Sequence, residues 1–134
     1  MYNSIITKLK TLIEGTPKVQ IVYDHEPKAT DQYPYVSIAP STISEEYDST
    51  GFNRRDYSVT IRVVALLNDD FVQAQLDTRE ITDSILEILA SNANLESVIE
   101  SGLTESVAFS FITEENLYVS VIDYVATIAS TRNC

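Results

Sequence analysis

The only histidine, His25, lies in the run Tyr23-Asp24-His25-Glu26, where either neighbouring acid could orient it as a general base. Such a base needs a nucleophile to act on. No serine elbow supplies one, and the sole cysteine, Cys134, is the last residue, at a terminus expected to fray. One histidine with scattered acids is also no ligand set for a metal ion. His25 therefore reads as a solvated loop histidine. Asp69-Asp70 could suggest magnesium, but acids at a helix start explain the pair with less. Glu114-Glu115 fits a solvated hairpin turn. The three glycines, Gly15, Gly51 and Gly102, are too far apart for a phosphate-binding loop. The expectation is a chain with no catalytic residue, no cofactor and no metal, which acts through its surfaces.

Length and composition set the frame for those surfaces. A chain of 134 residues that is 44% hydrophobic can build one domain with a core. Its 20 acids against 9 bases give a net charge of −11. Gripping a phosphate backbone needs clustered Lys and Arg, so a nucleic-acid-binding role is disfavoured. The charge serves solubility, or makes a surface that repels nucleic acid or meets a basic partner. A single cysteine permits no intramolecular disulfide and fits a reducing compartment. The N-terminus lacks the basic-then-apolar layout of a signal peptide, and no apolar run approaches the roughly 18 residues of a membrane span. Folding in the cytoplasm with no membrane partner is expected.

Hydrophobic period gives the elements. Asn3 can cap a helix whose apolar stripe is Ile5, Ile6, Leu9, Leu12 and Ile13, with Gly15 as a left-handed C-terminal cap and Pro17 preventing continuation. Val19 to Tyr23 reads as a short strand and Asp24 to Gln32 as a loop. Pro34 holds Tyr33 extended. From Tyr35 to Ile43 the residues alternate, Val36 and Ile38 on one side and Tyr35, Ser37 and Ala39 on the other. Pro40 marks an edge or a bulge in that strand. Tyr57 to Leu67 alternates clearly, with Tyr57, Val59, Ile61, Val63 and Ala65 on one face.

Asn68-Asp69-Asp70 starts a long helix whose inward stripe is Phe71, Ala74, Thr78, Ile81, Ile85, Ile88 and Leu89. Leu95, Val98 and Ile99 suggest a further short helical piece closed by Gly102. Val107, Phe109 and Phe111 alternate in the next strand. The final strand, about Leu117 to Ala129, is apolar on both faces, which implies burial on both sides. The predicted class is α+β: one mostly antiparallel or mixed sheet of about five strands, with two main helices packed on one face. Two helices cover only one face well, so the other is a candidate subunit interface.

Candidate contact residues follow from breaks in these patterns. Ser44 to Asp56 is too polar for a core and longer than the usual hairpin loop of about 2–5 residues. It is expected outside the core, as a loop or extended hairpin reaching a neighbour. Its Glu45, Glu46 and Asp48 set against Arg54 and Arg55, with Phe52 between, suit complementary contacts between identical subunits. Asp123 interrupts the apolar final strand. Either its carboxylate reaches solvent at a strand end or bulge, or it pairs with Arg62 or Arg55 across an interface. Tyr33, Tyr35, Tyr118 and Tyr124 are sheet residues or interface anchors.

The whole layout resembles the tail terminator and tail-completion proteins of long-tailed bacteriophages. The resemblance lies in the helix with Ile5, Leu9 and Leu12, then Val22-Tyr23, then Tyr33-Pro34-Tyr35-Val36-Ser37-Ile38. It continues through the Arg55-Asp56-Tyr57-Ser58-Val59-Thr60-Ile61 strand, the Arg79-Glu80-Ile81 to Leu89 helix and the long final strand. It implies a structural virion protein in the tail or neck: a ring, usually a homohexamer, that caps the tail tube, stops its polymerisation and presents a surface to the head-tail connector. Partners would be the chain itself, the tail tube protein and the connector protein, with DNA passing through unbound. A head-completion or connector role is the nearest alternative. A small cytoplasmic enzyme or ligand-binding domain, using its sheet face as a pocket, is the more distant one. From the charge alone, duplex DNA should show no measurable retention in a filter-binding assay at physiological salt. A salt-sensitive complex under those conditions would refute the reading of the acidic surface.

Overall fold

In the computed structural model the described residues are 2–25, 27, 33–47, 52–67, 71–92, 95, 101–112 and 115–131. At 42–47, 52–54, 101 and 128–131 the backbone alone is described. The element order is α1 (Tyr2–Ile13), β1 (Ile21–Tyr23), β2 (Tyr35–Tyr47), β3 (Phe52–Leu66), α2 (Phe71–Ser91), β4 (Ser101–Ile112) and β5 (Leu117–Thr131). One five-stranded sheet runs in the order β1-β2-β3-β5-β4. β1 lies parallel to β2 and every other pairing is antiparallel, so the sheet is mixed. This is the expected α+β class.

Both helices pack on the same sheet face. Ile5, Ile6, Leu9 and Ile13 of α1, with Ile81, Ile85 and Leu89 of α2, bury against Val36, Ile38, Tyr57, Val59, Ile61, Val63, Ile122, Tyr124 and Ala126. The alternation of β3 is thus a buried face toward the helices and a second face away from them. Burial of one large aliphatic side chain contributes about 1.5–3 kcal/mol, so this layer dominates the stability of the fold. The second face is apolar at one end. There Val64, Leu117 and Val119 form a smaller cluster, flanked by Tyr33, Tyr35, Leu66, Ile112 and Val121. Tyr35 lies in edge-on contact with Tyr23, with ring centroids 5.6 Å apart. Part of the burial expected from a partner at this face is therefore supplied by the chain's own tyrosines.

Several local expectations change. Asn3 lies within the first turn of α1. Gly15 is not left-handed; the Thr16 N–H donates to the Ile13 carbonyl at 2.9 Å, and the left-handed residue is Lys18, at φ 73°. From that turn the Lys18 ammonium reaches Asp77 at 3.1 Å and Glu80 at 2.6 Å on α2. Those two carboxylates hold the Lys18 pKa above its ordinary value. Asn68–Asp70, Val98 and Ile99 lie outside the described residues. Leu95 is a buried, left-handed turn residue rather than part of a helix. Gly102 lies inside β4, not at a helix end. Pro40 satisfies both of its readings. β1 covers β2 only from Tyr35 to Ser37, and the β2–β3 register shifts between Pro40 and Ile43.

A polar seam crosses the core beneath α2. Thr78, Thr82 and Ser120 are buried, and Thr82 Oγ1 lies 2.7 Å from the Thr78 carbonyl and 2.9 Å from Ser120 Oγ. Thr82 belongs to the inward stripe although its residue type gave no apolar signal. Thr82→Val keeps the shape but strands the Ser120 hydroxyl, at a cost of about 1–3 kcal/mol. Replacing both, Thr82→Val with Ser120→Ala, should cost clearly less than the sum of the single changes, as read by urea unfolding. Strict additivity would show that the two hydroxyls are not coupled.

Candidate functional site

The polar segment Ser44 to Asp56 is not a loop for most of its length. β2 and β3 continue through it, with Ser44 opposite Asp56, Glu45 opposite Arg55, Glu46 opposite Arg54 and Tyr47 opposite Asn53. Over 44–47 and 52–56 the backbone is therefore paired strand rather than loop. β5 runs alongside it, pairing Asp56 with Thr127 and Phe52 with Thr131. Among the described residues β4 begins opposite Thr127 and β1 stops at Tyr23, so the far end of the sheet is formed by β2, β3 and β5. At its base the Tyr2 ring packs edge-on against Tyr57, at 4.9 Å between centroids, and the Tyr2 hydroxyl donates to the Ser58 carbonyl at 3.0 Å.

Register also changes the meaning of the charges there. Two acids face two bases within the hairpin, and opposite charges directly across antiparallel strands stabilise the pairing itself. Arg55 is exposed and donates to the Tyr57 hydroxyl at 3.2 Å. The Thr127 hydroxyl donates to the Asp56 carboxylate at 2.8 Å, tying β5 to the hairpin. Asp48 lies outside the described residues, and Phe52 is placed by its backbone at the start of β3.

The remaining candidates separate. Asp123 is exposed and accepts a hydrogen bond from the Ser106 hydroxyl at 2.8 Å, next to the β4 bulge between Thr104 and Ser106. Within the chain the carboxylate thus reaches solvent beside a bulge. Arg62 is partly buried on the second face, opposite Ser37 on β2 and Val121 on β5. Tyr124 is corrected outright: at 1% exposure it belongs to the core. Burial pushes its hydroxyl up to about 12, and that hydroxyl has no hydrogen-bond partner among the described residues. The ring fits only because Gly102 on β4 has no side chain. A Cβ there would lie 1.7 Å from the Tyr124 hydroxyl oxygen.

Tyr118 is buried too, but it forms the floor of an exposed aromatic cluster. Phe111 packs against it at 4.8 Å and Phe109 at 6.0 Å, and Phe71 of α2 stacks on Phe111 at 5.8 Å. Phe71, Phe109 and Phe111 are 51%, 43% and 46% exposed, and Val72 and Leu76 on the same helix are exposed as well. Helical spacing had placed Phe71 in the core. Instead the first turns of α2 run past the buried layer, so its stripe begins at Thr78. The period of Val107, Phe109 and Phe111 was legible, but not that the two rings stay nearly half exposed among the described residues.

Nothing in the described residues assembles a reaction centre. His25 is exposed and hydrogen bonds to Asp24 at 2.8 Å, a contact that lowers the Asp24 pKa. Three clefts of about 330–360 Å³ lie on α1, between α2 and β4, and between α2 and the turn after α1; none of these three is lined by His25. Among the described residues no group of His, Cys, Asp and Glu could hold a metal ion, and no helix is long and apolar enough to cross a membrane.

A chain in the virion of a native gene transfer agent particle has a similar fold, at a TM-score of 0.58 and 14% identity, covering 91% of this chain and 84% of that one. At that identity the likeness shows the fold alone. No family model matches the sequence, and no curated protein matches it.

The hairpin register yields a direct test. Arg54→Glu with Arg55→Glu sets like charges opposite Glu45 and Glu46 and should lower unfolding stability by about 1–2 kcal/mol. Adding Glu45→Arg and Glu46→Arg should recover most of that loss in the same urea titration. Equal stability of all three proteins would show that the charges do not serve the hairpin.

Proposed function

We propose that this chain is a structural virion protein, a tail terminator, that assembles as a ring on the end of a phage-type tail tube. The fold likeness to a virion chain, spanning nearly the whole of both chains, carries the reading. Three features of the molecule agree with it. The paired β2, β3 and β5 segment at the end of the sheet offers an arm to a neighbouring subunit. The aromatic cluster at Phe71, Phe109 and Phe111 and the second sheet face around Arg62, Val121 and Asp123 leave contact surface on both sides of the sheet. The net charge of −11 suits a ring through which DNA passes without adhering. In this reading the partners are further copies of the chain, most simply six, the tube protein at one end and the connector protein at the other. The protein sits in the neck of the virion and has no turnover and no cofactor.

Loss of the protein should leave tube growth unchecked, so particles from a deletion strain should carry overlong tails not joined to heads in negative-stain images. Normal-length tails would reject the terminator role. Normal tails beside heads that leak DNA would assign the chain to head completion instead.

A further inference from the structure

β4 ends the sheet on the side opposite β1, so among the described residues no strand faces its outer backbone groups. Natural sheets usually blunt such an edge with Lys, Pro or a very short strand. β4 is 12 residues long, Ser101–Ile112, with no Lys, Arg or Pro. Its one charge, Glu105, falls at the bulge between Thr104 and Ser106 and is exposed.

The side chains along this edge are in phase. At one end Gly102 and Thr104, with Leu86, Leu89 and Tyr124, line a cleft of about 350 Å³. At the other end stand Phe109 and Phe111. Across β5, Gly102 lies opposite Ala126, Phe109 opposite Ser120 and Phe111 opposite Tyr118, so the cleft and the rings are six and eight positions apart. Even spacing puts them on one face of the sheet, and the bulge at Glu105 is what restores that phase. Asp123, three positions from Ala126, falls on the opposite face beside Ser106. Glu105 and Asp123 are both exposed and have no ion pair among the described residues.

We propose that the outer edge of β4 is the docking site for an extended, basic segment of a different protein, which adds to the sheet as a sixth strand. One apolar side chain of that segment enters the Gly102 cleft, and others lie on Phe109 and Phe111. A Lys or Arg between them meets Asp123 and Glu105. The register sets the spacing: apolar, then basic three residues on, then apolar six and eight residues on. Charge selects this occupant over a second copy. Two copies paired through β4 would bring both Glu105 and both Asp123 carboxylates together near the middle of the joint, in chains that each carry −11. The proposal rests neither on the ring nor on the terminator role.

The probe is a synthetic peptide of nine residues, blocked at both ends, with leucine at the first, seventh and ninth positions, lysine at the fourth and threonine elsewhere. Binding to the full chain is read by fluorescence anisotropy, and its place by amide hydrogen exchange. Saturable binding with new protection confined to β4 is expected. Exchanging the peptide's lysine for glutamate, or making Asp123→Asn, which keeps an acceptor for Ser106, should weaken binding up to about fivefold. Phe109→Thr with Phe111→Thr should weaken it by about tenfold or more. A peptide with its leucines moved by one position should lose binding to the unaltered protein, a control that does not depend on any variant folding. Three results overturn the proposal: no binding at millimolar peptide, equal binding of the shifted peptide, or a dimer in light scattering that Phe109→Thr with Phe111→Thr abolishes.

Discussion

The pairing of β3 with β5 is the constraint on which the rest of the molecule depends. Its register runs without a break from Phe52 opposite Thr131 to Leu66 opposite Leu117. Every other strand is placed by one of these two: β2 and through it β1 on the outer side of β3, β4 on the outer side of β5. A slip of one residue would turn Val59, Ile61, Val63, Ile122 and Tyr124 away from the helices. That slip is opposed from both faces. The helices cover one, and the cluster of Val64, Leu117 and Val119 fixes the other. The two strands are separated in sequence by α2 and β4, so this long-range register has to be specified by side-chain pattern rather than by a turn.

That pattern is why the centre of the fold was legible in the sequence. β3 alternates over Tyr57 to Val63 because one of its faces is buried and the other is only half-buried there, and α1 shows its stripe because one side of it is buried. The ends of the strands were not legible. A period of two appears in a sequence only where one face is apolar and the other polar, and residues 44–47 and 52–56 are polar at most positions on both faces. Their polar composition therefore reads as a loop, although the backbone pairing continues. The start of α2 failed in the opposite direction. Phe71 fits the helical period, but the covered face begins only at Thr78, so the ring is left in solvent. Gly102 misled through its residue type. Glycine often ends helices, but here it makes room for the Tyr124 ring inside a strand.

The candidate site was legible in residue types and not in their relations. Opposite charges in the segment 45–55 suggested contact between subunits, and only the register shows that they can also satisfy each other within one hairpin. Asp123 was marked by its position in an apolar strand, but its partner Ser106 stands out in no pattern of its own. Tyr124 was drawn from a strand apolar on both faces, where period alone does not say which face meets the helices, and its face is core at Ile122, Tyr124 and Ala126. In each case the missing information is which strand is the neighbour, a property of topology that hydrophobic period does not carry.

The two borders of the sheet are protected unequally, and this bears on what the molecule can join. On the β1 side the edge is broken. β1 has three residues, and the length of β2 that it leaves uncovered contains Pro40, a register shift and the acids Glu45 and Glu46. Each of these is a known obstacle to adding a strand. On the β4 side the edge is long, no described residue pairs with it, and it is flanked by exposed aromatic rings. Open-ended edge-to-edge growth needs two competent borders that complement each other, since a head-to-tail contact repeats until it closes or is blocked. A chain with one competent border can accept a single strand there and stop. The acidic surface acts in the same direction. Repulsion between copies is screened beyond about 8 Å at physiological salt, so it matters most at the close approach that sheet pairing requires. Any ring built from this chain must then rely on contacts other than a continuous sheet, and the paired β2, β3 and β5 segment is one element that could supply them.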